Sequence, residues 1–192
     1  MDRIDLSKRL AFVRYMYQIG EQQAETPLPY GALAVLSFHD SIEWFLLSAC
    51  EYHTVNASER ATAHQYFDQL QAKGMNLTGR IALNKINSAR NGLKHSLTIP
   101  SSISIRDLKV LTKNFLEENT SSLFDVDFGD ISMLNMIMSD GVRSSLEEAK
   151  RYITQARYDQ ARITVASAFR TLYQEFELNL LASWWICWNR SV

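Results

Sequence analysis

"GALAVLSFHDSIEWFLLSACEYH", residues 31–53, decides the fold. Its residues are apolar around most of the circumference of an α-helix. A helix of that kind is enclosed by other helices rather than laid on a surface. Three prolines and seven glycines in 192 residues are few. They leave long uninterrupted elements and do not supply the turns of an all-β chain.

Working outward, residues 5–25 read as an amphipathic helix, with Leu6, Leu10, Val13 and Tyr17 on one face. "TPLPY" ends it, because Pro27 and Pro29 push the residues before them out of the helical region. Ser58 is placed to cap a third helix, with Glu59 in its first turn and Gly74 just past its end. Thr78 is placed to cap a fourth, running to about Ser96 and closed by "TIPSS". A fifth spans about Ser104 to Asn119, with Asp107 three residues after the cap and Leu108, Leu111 and Phe115 on one side. Residues 120–141 are acidic and irregular apart from a short helical piece at "ISMLNMIM", and 142 to about 188 is helical with a break near "ITQARYDQA". No strand alternation is sustained, and no sequence period repeats. The expectation is an all-α bundle over residues 1–119. An acidic connector and C-terminal helical extension, 120–192, is expected to pack on it.

Composition excludes several classes. The net charge of −1 names no partner by itself. Cys50 and Cys187 are too few for a disulfide framework or a zinc site, and read as reduced core thiols. The charged N-terminus has no signal-type apolar core, and no run is expected to reach the ~18 apolar residues of a membrane span. A cytoplasmic protein with no membrane contact is expected. There is no P-loop, dinucleotide fingerprint or nucleophile elbow, so no cofactor is expected.

The charge is segregated. Residues 73–113 carry eight Lys or Arg against Asp107, and 114–148 carry eight acids against Arg143, giving +7 and −7. This describes either an electropositive surface or two segments that pack together and cancel. Within the basic half, "NSARNGLKH", residues 87–95, is rich in amides and bases, and no acid occurs from 74 to 106. On a helix at about 100° per residue, Ala82, Ile86, Ala89 and Leu93 form the core stripe. Asn84, Asn87, Ser88, Asn91 and His95 then lie opposite, joined by Arg80 and flanked by Arg90 and Lys94. A solvated face whose Lys94 and His95 complement the helix dipole accounts for part of this. The acid-free choice of residues suits an anion, since arginine can fork onto a phosphate and histidine titrates near neutral pH.

Other clusters carry less. His39 and Glu43 share a helix face with Asp40 beside them, but they make an incomplete metal set and read as an ion pair on the helix surface or toward Arg90. "DVDFGD" lacks the sixth-position glycine of a calcium loop and has Met136 where the bidentate glutamate belongs. No metal site is expected, and His53 and His64 have no evident companions in the sequence. "LNLLASWWICWNRSV" carries Trp184, Trp185 and Trp188, and suits docking on this chain or a subunit contact.

Arg90, Asn91 and His95 fit the pattern R-(N/D/H)-x3–5-H, and in this the chain resembles the HEPN superfamily. "LSFHDSIEWFLL" looks like the second helix of such domains, and the resemblance covers residues 5 to about 119. It extends more loosely through "FDVDFGDISMLNMI" and "YDQARITVASAFRTLYQEFE" to uncharacterised prokaryotic HEPN-like proteins. The resemblance implies a HEPN-like helical bundle and a metal-independent endoribonuclease of a prokaryotic defence, abortive-infection or toxin–antitoxin kind. Arg90, Asn91 and His95 would be catalytic, and Arg80, Asn84, Asn87 and Lys94 would contact RNA. A homodimer would join two such sets, and an antitoxin or other protein would be a partner. The alternative is a non-catalytic helical module that binds RNA, nucleotide or protein through the same face.

Overall fold

A computed structural model describes residues 1–56, 58 and 61–189, with 178–189 as backbone only. The fold is all-α: seven α-helices, three 3-10 turns and no strand among the described residues. Met1–Met133 forms one compact unit, and the residues from Leu134 onward form another.

The first unit holds α1 (Arg3–Ala24), α2 (Ala34–Tyr52), α3 (Ala63–Ala72), α4 (Arg80–Ser96) and α5 (Ser102–Phe124). α2 touches α1, α3, α4 and α5, the central place its apolar circumference requires. Phe38, Ile42, Phe45, Leu46 and Ala49 are sealed from solvent. The Phe45 ring meets Phe115 and Phe124 edge-on at 6.1 and 5.6 Å, the geometry that aromatic quadrupoles favour. Contrary to the sequence expectation, the segment Tyr30–Tyr52 is long and apolar enough to cross a membrane, but 67% of its most apolar window is buried inside this unit. Its apolar surface is spent on the core.

The α1–α2 contact is close because of Gly20: a Cβ there would lie 2.6 Å from two ring atoms of Phe38. α3 begins at Thr62, not Ser58. Thr62 and Gln65 form a capping box, Thr62 accepting from the Gln65 amide while the Gln65 side chain accepts from the Thr62 amide. Ser58 is coil, and Glu59 lies outside the described residues. Gly74, with φ +87°, ends this helix as expected.

α5 departs most from expectation. Its cap is Ser101, whose hydroxyl accepts from the Ser104 amide, so Asp107 lies beyond the capping turn. It also runs to Phe124 rather than Asn119, burying Leu116, Leu123 and Phe124. Phe128 and Ile131 then join the same core, and Arg14 donates to the carbonyls of Gly129, at 2.7 Å, and Ile131. The first unit thus continues to Met133, past the boundary expected at 119. Asp127 accepts from the Gly129 amide at 2.6 Å, which makes "DVDFGD" a turn closed by its own groups.

The second unit contains a helical hairpin, α6 (Asp140–Thr154) and α7 (Tyr158–Asn189), with the break where the sequence placed it. Ser139 caps α6 by accepting from Val142. Ala156, at φ +55°, turns the chain. The buried residues of the hairpin are small: Val142 and Ala149 on α6, Ala161 and Ala168 on α7. The side chains of Trp184, Trp185, Cys187 and Trp188 lie outside the described residues.

Candidate functional site

α4 presents the candidate site, and its placement starts at its N-terminus. Gly79 occupies the N-cap in the left-handed region, φ +85°, and a Cβ there would strike the Phe115 ring at 2.7 Å. Glycine is required on both counts. Thr78, expected to cap the helix, does not; its hydroxyl donates to Glu118 of α5. Asn119 of α5, fully buried, clasps the Thr78 peptide from both sides. Its Oδ1 accepts from the Thr78 amide at 3.0 Å, and its Nδ2 donates to the Thr78 carbonyl at 3.2 Å. At the other end Leu97 takes a left-handed φ of +52°, and the Thr98 amide donates to the Gly92 carbonyl. The left-handed residue ends the helix, and the Gly92 carbonyl takes both the Leu97 and Thr98 amides.

Between these ends the helix is oriented as its pattern predicts. Ala82, Leu83 and Ile86 are buried, Ala89 and Leu93 partly so. Asn84, Ser88, Asn91, Lys94 and His95 are exposed, and Asn87 and Arg90 are half-buried.

The face does not act as one group. Arg90 donates through Nη1 to Asn91 Oδ1 at 2.9 Å, and its Nε is buried with no partner among the described residues. His95, in the last turn with Lys94, makes no hydrogen bond to a described residue. Asn91 is therefore joined to Arg90, not to His95. The Arg80 guanidinium pairs with Asp68 of α3 and stacks over the Phe67 ring, 4.4 Å from its centroid. Asn84 accepts from His64 Nε2 at 2.8 Å. Arg80 and Asn84 thus serve the α3–α4 contact. Asn87, Asn91, Lys94 and His95, with the free edge of Arg90, remain toward solvent.

Sequence reasoning missed the companions of both remaining histidines. His64 meets Asn84 across two helices, and His53 donates to the Leu123 carbonyl at 3.0 Å while stacking on Phe124. His39 is not on the helix surface as expected; it is 5% exposed. Its Nδ1 lies 3.3 Å from Asp40 and 3.9 Å from Glu43, and no described ion pair joins this group to Arg90. The three residues offer ligand atoms within 4.8 Å of one another, all from one helix.

The basic and acidic segments cancel only in part. Lys113 pairs with Glu117 in α5, whereas Lys109 pairs with Glu21 of α1 and with Glu25 at its C-cap. Lys85 and Lys94 on α4 have no acidic partner among the described residues.

The fold and the exposed polar helix define a class, an all-α bundle carrying an Arg-Asn…His set at the end of one helix. No protein-family model matches the chain, and neither the curated proteins nor the solved structures yield a match.

Proposed function

We propose that this chain is a metal-independent endoribonuclease of a prokaryotic defence or toxin–antitoxin type, acting in the cytoplasm as a homodimer. The observation that carries the reading is the exposed end of α4. There Arg90, bonded to Asn91, and the unengaged His95 lie within two turns on a face without acids. The resemblance of these residues to the HEPN motif supports the same reading.

In this mechanism His95 takes the proton of the RNA's own 2′-hydroxyl or delivers one to the 5′-oxygen leaving group. Arg90 stabilises charge on the phosphate as it becomes pentacovalent, and Asn91 holds the guanidinium toward it. Asn87 and Lys94 contact the strand. Arg80 and Asn84 hold α4 on α3 and act on RNA only through that placement. One set is thin for this chemistry, and a two-fold dimer would bring two into one cleft.

The test is cleavage of RNA by the purified full chain. Activity should persist in EDTA, yield 2′,3′-cyclic phosphate ends, and vanish in His95→Ala and Arg90→Ala. Loss of activity in EDTA, or full activity of His95→Ala, would refute the mechanism. A second reading is favoured because Asn91 is bonded to Arg90 and no hydrogen bond among the described residues joins His95 to that pair. It is a non-catalytic module that binds RNA, nucleotide or protein through this face. RNA binding without cleavage at any pH would select it.

A further inference from the structure

The α6–α7 hairpin is built inside out. Its buried positions hold alanines and a valine, while its large apolar side chains point to solvent. Phe169 is 68% exposed, Tyr158 62%, Phe176 60% and Val165 44%. On α7 these four follow helical spacing and form one stripe. Tyr158, Val165 and Phe169 of the stripe, with Ile153 of α6, line an apolar groove of about 640 Å³ that Arg162 also borders. Seven apolar side chains on this side of the hairpin, four of them aromatic, are exposed to this degree or more. Since a buried aromatic covers about 150–250 Å², together they approach the ~800 Å² per partner of a stable interface.

Charge shows what covers the stripe. Near the turn, residues 150–164 carry Lys150, Arg151, Arg157 and Arg162 against Asp159, which is 4 − 1 = +3. At the open end, residues 140–149 and 165–177 carry Asp140, Glu147, Glu148, Glu175 and Glu177 against Arg143 and Arg170, which is 2 − 5 = −3. Ser139 donates to Glu175 across that end at 2.8 Å, so the two acidic stretches lie side by side. The hairpin is thus a rod with a basic tip, an acidic base and an apolar flank. Its complement is the same rod reversed.

We propose that the hairpin is a self-association surface. Two copies pack antiparallel about a two-fold axis near the middle of the stripe, forming a four-helix bundle. Each basic tip then faces the partner's acidic base, and the two aromatic stripes close on each other. A parallel pairing would set like charges together, which disfavours it. This pairing supplies the homodimer of the proposed function through contacts that do not involve the α4 face.

The experiment is sedimentation equilibrium of the full chain from nanomolar to high micromolar concentration. The expected result is a dimer that Phe169→Glu with Val165→Glu converts to monomer at unchanged helical content. A second pair of variants tests the orientation without touching the apolar stripe. A chain carrying Arg157→Glu and Arg162→Glu should pair with one carrying Glu175→Lys and Glu177→Lys about tenfold more tightly than either pairs with itself. A wild type that stays monomeric would overturn the proposal and leave the stripe to another partner. So would a dimer that survives Phe169→Glu, or charge-swapped chains with no mutual preference. A dimer broken only by substitutions at Asn87 and Lys94 would belong to the α4 face instead.

Discussion

Two glycine-to-alanine substitutions, at Gly20 and Gly92, should have opposite signs. Both glycines lie inside helices, α1 and α4, and alanine gains about 0.5–1 kcal/mol over glycine in a helix. At Gly92 nothing opposes that gain. The new Cβ would sit 3.6 Å from the Thr98 Cβ, an ordinary contact. Gly92→Ala should therefore stabilise by about 0.5–1 kcal/mol. At Gly20 the Cβ would lie 2.6 Å from Phe38 Cδ1 and Cε1, and 3.3 Å from the Ser37 Cβ. Reaching the 3.4 Å of ordinary contact means moving by at least 3.4 − 2.6 = 0.8 Å. Phe38 has no free space, being fully buried with Tyr17 5.9 Å away, and Ser37 is tied to Gln23 at 2.7 Å. Overpacking of this kind costs about 1–3 kcal/mol, so the net loss is about 0.5–2 kcal/mol. Urea unfolding followed by circular dichroism at 222 nm should separate the two variants by about 2 kcal/mol, or roughly 1 M in midpoint at m ≈ 2 kcal/mol/M. A Gly20→Ala protein as stable as wild type would show that α1 and α2 do not pack this closely. A destabilised Gly92→Ala protein would refute the placement of residue 92 inside a regular helix.

His95→Ala should leave the melting temperature nearly unchanged, because the side chain is exposed and unbonded; under the proposed mechanism it should also lower RNA cleavage by about 10²–10⁴. Asn119→Ala would strand the amide and carbonyl of Thr78, and should cost about 1–3 kcal/mol in a denaturant titration. Asn119→Asp would set a buried carboxylate against the Thr78 and Phe115 carbonyl oxygens and should cost at least as much as alanine. Burial, and then the nearby Glu51 charge, push the Cys50 thiol up to about 11. In a Cys187→Ser background, Cys50 should resist alkylation near neutral pH until denaturant is added, and labelling of the folded chain would contradict its burial.

The sequence made the main helices legible because their packing faces are periodic. Leu6, Leu10, Val13 and Tyr17 are all buried, as their spacing requires, and α2 is central for the reason its composition states. The cap of α3 was also written there, as Thr62 and Gln65 three apart, but Ser58 followed by Glu59 offered a similar signature earlier in the chain. The end of α5 was hidden because Asn119 and Thr120 are polar yet fully buried. Phe128 and Ile131 were masked by the acids around them, whose charges face outward while the two apolar side chains reach the core. The direction of α4 was readable from its own period. What Arg80 and Asn84 do was not, since Asp68, Phe67 and His64 belong to another helix and no local pattern brings them near.

The clasp of Asn119 on Thr78 joins positions 41 residues apart. Helix α4 therefore has no fixed origin until the far end of α5 is in place, and the stretch carrying Arg90 and His95 inherits that dependence. The Thr78 amide points inward to the Asn119 carbonyl oxygen, so it can exchange its hydrogen only when this join opens. Its exchange rate is a built-in gauge of how often the candidate helix lifts from the bundle. If that opening is small and local, exchange at Thr78 will outpace that of the core amides of α2. If α4 and α5 leave only together, the two will exchange at the same rate, and the face bearing Arg90 and His95 will be as long-lived as the fold itself.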